Sequence, residues 1–89
     1  MDNIVNEYRI DHIEYRELRL QMCFSQSQLA TVLGVSRSTI ARREEGPDPV
    51  SFEEGYAIRR LIEIVCPDGE EASHHWEPCE LEEIVVRAS

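Results

Sequence analysis

An all-α fold of four to five short helices is what this 89-residue chain predicts. The first observation behind it is a set of serines that each stand three residues before a residue suited to a helix N-terminus. Ser25 precedes Gln28, Ser36 precedes Thr39, and Ser51 precedes Glu54. The first and last pairs are capping boxes, in which the serine oxygen and the Gln or Glu side chain each satisfy a free backbone N–H. The second observation is punctuation: Gly34 and Gly46-Pro47 fall where the helical runs must stop. The third is apolar spacing at three and four residues, the helical period.

Residues 1–10 read as an N-terminal arm. Ile4, Val5, Tyr8 and Ile10 fit a strand, a frayed helical turn or an extended arm equally well. From Asp11 to Cys23 the pattern is helical, with Asp11 as cap and Glu14 three residues on. Tyr15, Leu18, Met22 and, on an adjoining row, Leu20 are expected to form its apolar face. Cys23-Phe24-Ser25 breaks this helix, and a second begins at Gln26 with Leu29, Ala30 and Leu33 facing inward. Gly34 permits a sharp left-handed turn, and Val35 plugs the core. Ser36 caps a third helix, anchored by Ile40, with Ala41 allowing close packing. Pro47-Asp48-Pro49 is a stiff connector. Ser51 opens a fourth helix, Phe52 to Val65, whose Phe52, Tyr56, Ile58, Leu61, Ile62 and Val65 are expected to be buried. Gly55 within it costs about 1 kcal/mol of helix propensity relative to Ala, which close packing would explain.

Pro67-Asp68-Gly69 ends that helix. Residues 67–89 form an acidic C-terminal tail, a candidate dimerisation element. Glu80 to Arg87 reads as a short strand or arm or as a final helical turn, with Ile84-Val85-Val86 favouring the strand. Residues 11–66 then form the folded unit.

The formal charge of −9 argues against a generic binder of nucleic acid, but its distribution matters more. Residues 1–46 hold six Arg against seven acids, and residues 47–89 hold three Arg against eleven. Between Ser36 and Arg43 there are three Arg and no acid, and the chain has no Lys. Every cationic contact must therefore come from Arg, whose planar fork suits guanine and phosphate.

No apolar run approaches the length of a membrane span and residues 1–15 lack a signal-peptide core, so a soluble, cytoplasmic protein is expected. Three cysteines (Cys23, Cys66, Cys79) cannot all pair within one chain, and reduced thiols fit that compartment. Cys66, His74, His75 and Cys79 supply zinc-type ligands but lack a tight C-x2-4-C knuckle, so no metal is assigned to them. No cofactor is expected, because there is no glycine-rich phosphate loop. No framework of nucleophile and base points to an enzyme.

Two helices joined by a short turn containing Gly make a helix-turn-helix. The sequence resembles the phage Cro and repressor-type (XRE-like) helix-turn-helix family at Leu20, Ser25-Gln26, Gln28-Leu29-Ala30, Leu33-Gly34-Val35-Ser36, Ser38-Thr39-Ile40, Arg42, Glu44 and Gly46. The resemblance implies a compact repressor-like DNA-binding domain and a sequence-specific transcriptional regulator of double-stranded DNA. Its recognition helix, Ser36–Glu45, would enter the major groove, and a homodimer would sit on a palindromic operator. Arg37, Ser38 and Arg42 would face bases. Gln26, Ser36 and Thr39 would meet phosphates, while Arg43 would reach the backbone or cover the core with its stem. Arg19 and Glu44 would form a structural brace. A tail strand pairing across the dimer two-fold is one expected contact, and Trp76 is expected to anchor the tail or join that contact. The rival reading is an antitoxin or protein-interaction adaptor that holds a protein partner with the acidic C-terminal half.

Overall fold

The computed structural model describes residues 10–47, 50–72 and 75–88. Residues 1–9 of the expected arm (1–10) and the connector residues Asp48 and Pro49 lie outside the described residues. Among the described residues five helices follow one another: α1 (His12–Gln21), α2 (Gln26–Leu33), α3 (Arg37–Glu45), α4 (Phe52–Val65) and α5 (Pro78–Ala88). No strand occurs among the described residues.

The helix starts follow the caps. Asp11 accepts from Glu14 N–H at 2.8 Å and opens α1. Ser25 with Gln28, and Ser51 with Glu54, form complete capping boxes at α2 and α4. Ser36 Oγ accepts from Thr39 N–H at 3.2 Å and opens α3.

Two of the helix ends are closed in the same way. At the end of α2, Val35 N–H donates to Ala30 O and Gly34 N–H to Thr31 O, with Gly34 left-handed at φ 74°. At the end of α1, Phe24 N–H donates to Arg19 O and Cys23 N–H to Leu20 O. Both pairs have the bonding pattern of a Schellman turn. Here Cys23 takes the left-handed position, φ 62°, where Gly is usual. A side chain there costs roughly 1–2 kcal/mol.

Tyr15, Met22, Phe24, Leu29, Ile40, Val50, Ile58 and Leu61 build one core. α3 packs on α1 and α2, α4 on α1, and α5 on α2 and α4. Ile10 is also buried, and its carbonyl accepts from Val50 N–H at 3.1 Å, tying the approach to α1 to the approach to α4. Gly55 is buried, in keeping with close packing.

The structure corrects several expectations. Leu20 is 50% exposed and leaves the α1 face to its neighbours. Phe52 and Tyr56 are 41% and 45% exposed, so the buried stripe of α4 is narrower than its apolar content suggests. Val32 is buried although it was not expected to face inward.

The largest correction concerns Ile84-Val85-Val86, which are helical. Leu81 and Ile84, three residues apart, are buried on one side of α5, while Val86 is 74% exposed. Alternating strand burial would put Val86 on the same side as Ile84. β-Propensity is weak against such packing. Pro78 occupies the first helical position and Glu77 N–H donates to Glu80 Oε1 at 2.8 Å, start signals that the strand reading passed over. A tail strand across a two-fold is therefore withdrawn.

Trp76 anchors the approach to α5. Its ring centroid lies 5.4 Å from that of Phe24, and its indole N–H donates to Met22 O at 2.7 Å. The packing of α5 predicts a clear contrast. In urea titrations at low protein concentration, Ile84→Ala should lower stability by about 2–5 kcal/mol. Val86→Ala should stay within about 0.5 kcal/mol of the parent. Equal effects would mean that α5 does not pack on the core as described.

Candidate nucleic-acid interface

α3 buries a single residue, Ile40. One apolar anchor does not fix the rotation of a nine-residue helix, and polar contacts from three sides supply the rest. Arg19 on α1 donates from Nε to Glu44 Oε2 at 2.6 Å and from Nη2 to Glu44 Oε1 at 3.1 Å. Its remaining arm, Nη1, donates to Phe24 O at 2.8 Å. The Gln26 amide at the start of α2 also donates to Glu44 Oε1, at 3.1 Å. Side-chain exposure is only 10% for Arg19 and 5% for Glu44, so the pair is shielded from water and salt.

On another side, Arg43 donates from Nη1 to the Tyr15 hydroxyl at 2.9 Å and pairs through Nη2 with Glu54 at 2.7 Å. It also lies 5.8 Å from the Tyr15 ring centroid. Burial pushes the Tyr15 phenol up, against the lowering effect of the Arg43 hydrogen bond and charge. Desolvation also acts upward on Glu54. The hydrogen bonds from Ser51 and the Arg43 charge outweigh it and hold this carboxyl below its ordinary value.

These contacts place the expected site residues in two groups. Arg37, Ser38 and Arg42 are exposed along α3, and among the described residues Arg37 and Arg42 make no ion pair. Ser36 Oγ lies 3.3 Å from Ser38 Oγ and 2.9 Å from Thr39 Oγ1, so these hydroxyls share the cap at the start of α3. Gln26 is half-buried against Glu44. Arg43, expected to reach the backbone or to cover the core with its stem, has its guanidinium held between α1 and α4 by the Tyr15 hydroxyl and Glu54.

Arg16 was not among the residues expected at the interface. It is exposed on α1 and lines a shallow concavity with Gln26, Arg37, Ala41, Glu44 and Glu45. Its spacing of three residues from Arg19 was the available signal, since such residues share a helix face.

The candidate zinc residues do not converge in the described structure. Cys66 closes α4 and its thiol donates to Gln21 O at 3.7 Å, while Cys79 is exposed on α5. Burial pushes the Cys66 thiol up, away from the thiolate that zinc requires. His75 is exposed, and His74 lies outside the described residues. Among the described residues no cluster of three or more His, Cys, Asp or Glu is placed to hold a metal.

α2, the Gly34-Val35-Ser36 turn and α3, with α3 carrying exposed Arg and Ser, define a helix-turn-helix. A family model described as helix-turn-helix matches residues 16–64, from the middle of α1 to the end of α4, and the chain belongs to that family. Comparison with curated proteins and with solved structures finds no match. The membership makes the protein a DNA-binding transcription regulator of the Cro/repressor type. No described helix is long and apolar enough to cross a membrane.

Removing one partner from the shielded pair leaves the other uncompensated. Arg19→Ala should therefore cost about 3–5 kcal/mol in equilibrium unfolding. A change below about 1 kcal/mol, the range of an exposed pair, would contradict the burial described.

Glu54 gives a pH dependence. Its folded pKa is depressed, so its contribution is present above the unfolded value and is lost as pH falls through the folded one. Stability measured against pH should fall on the acid side, and Glu54→Gln should flatten that fall while retaining a side chain able to complete the Ser51 capping box. An identical acid limb in both proteins would assign the loss to other groups.

Proposed function

We propose that α3 is the recognition helix of a sequence-specific regulator of double-stranded DNA, inserted in the major groove with Arg37, Ser38 and Arg42 toward base edges. The observation that carries this reading is the division of arginines on α3. Arg43 is tied to Tyr15 and Glu54, while Arg37 and Arg42 stand exposed on a helix held by the Arg19–Glu44 pair. Ser36 and Thr39 at the α3 N-terminus, and Gln26 at the α2 N-terminus, meet phosphates, where unpaired N–H groups and the helix dipole favour anions.

The working unit is a homodimer on a palindromic operator. Each protomer supplies one α3, and the half-sites lie on one DNA face about 34 Å apart. Retaining the folded unit in any test of dimerisation requires keeping α5, because Leu81 and Ile84 belong to the core.

Selection of bound duplexes from a random pool should enrich a two-fold symmetric motif, and no enrichment would overturn the reading. On the selected duplex, Arg37→Ala should lose about 1–3 kcal/mol of discrimination at one base-pair position per half-site. Measured affinities for single-base variants of that duplex check this directly.

A further inference from the structure

We propose that Arg16, on α1, forms with Gln26 a seat for one backbone phosphate of the bound duplex, in the positive field of the neighbouring Arg37. The inference rests on the DNA reading above and extends the interface beyond the two helices of the motif.

The geometry brings three elements to one place. Arg16, Gln26 and Arg37 line the same concavity, from α1, the first residue of α2 and the first residue of α3 respectively. Arg16 and Arg37 are exposed and make no ion pair among the described residues. Glu44 forms part of the lining, but Arg19 answers its charge and Gln26 its second oxygen. The charges left facing solvent are Arg16, Arg37 and Glu45. Together they carry one net positive charge, the complement of a single phosphodiester. The planar Arg16 fork offers paired N–H donors to the phosphodiester oxygens.

Position identifies the anion as part of DNA. Arg37 opens the helix that reads the groove, so a duplex seated on α3 carries its backbone past this concavity. Arg43 is unavailable for the task because Tyr15 and Glu54 hold it. Arg16 is the exposed cation on α1 that supplies what Arg43 does not.

The test measures binding to the selected duplex and to an unrelated duplex over a range of salt, using the full chain and its Arg16→Ala, Arg16→Lys and Arg60→Ala variants. Arg60 is an exposed α4 arginine outside this concavity. Loss of the seat should reduce the slope of log affinity against log salt by about 0.9 per bound protomer. It should weaken both duplexes by the same factor, about tenfold per protomer at about 0.1 M salt. Arg16→Lys should keep most of the slope, and Arg60→Ala should keep all of it. An unchanged slope and affinity in Arg16→Ala, with Arg37→Ala still losing base discrimination, would overturn the seat and leave the recognition helix intact. A base-selective loss in Arg16→Ala would also overturn it, since a phosphate contact is blind to sequence. Failure of the parent protein to bind any duplex would instead remove the DNA reading on which the seat depends.

Discussion

The guanidinium of Arg19 is the node on which the helix-turn-helix is assembled. It joins four pieces of chain: α1, which carries it; the turn after α1, through Phe24 O; α3, through Glu44; and α2, through the Glu44 bond from Gln26. A hydrophobic contact is non-directional, and α3 has only Ile40 buried. The Arg19–Glu44 fork has direction, because two parallel N–H donors must meet two oxygens. A buried ion pair is often close to neutral against an apolar pair of similar volume. Its contribution here is the rotation and height of α3, more than net stability.

The same reasoning separates the arginines by task. Arg19, Arg43 and Arg59 are paired with Glu44, Glu54 and Glu14, and each pair joins two helices. Arg16, Arg37 and Arg42 stand exposed on α1 and α3, and Arg60 and Arg87 on α4 and α5. The three on α1 and α3 are a small cationic surface on a chain of net charge −9. Sequence-independent affinity grows with the number of phosphates neutralised. With so few, little sequence-independent affinity is available, and the acidic remainder of the chain repels phosphates brought near it.

Much of this was legible because the signals are local. A cap and its N3 partner are three residues apart, so Ser25, Ser36 and Ser51 locate α2, α3 and α4 without knowledge of tertiary structure. Gly34 marks its turn for the same reason. Sequence reasoning failed where the deciding partner is distant. Nothing local states that Arg43 will meet Tyr15, 28 positions earlier, or that Phe52 and Tyr56 lie at the edge of the α4 stripe. Ile84-Val85-Val86 reads as a strand until α2 and α4 are in place to bury Leu81 and Ile84 along a helix. The family match also stops at residue 64, short of α5, where the reading was weakest. The terminal helix was recognisable only from Pro78 and the Glu77–Glu80 pair.

Residues 66–72 and 75–77 extend the Arg19 node toward α5. Gln21, the last residue of α1, takes an N–H bond from Ala72 at its carbonyl, and its side chain donates to Gly69 O. One residue on, Met22 O receives the Trp76 indole, and Gln28 in α2 reaches Trp76 O. These bonds converge on the turn whose Phe24 carbonyl receives Arg19, and the Trp76 ring packs on Phe24 itself. The turn is constrained from the α3 side by an ion pair and from the C-terminal side by an aromatic contact and backbone bonds. Cys23 is held there in a left-handed conformation that its side chain disfavours. That cost is accepted because Phe24 must enter the core while its carbonyl faces Arg19. The acidic C-terminal segment is thus a structural part of the helix-turn-helix unit: it secures the turn from which α3 is oriented.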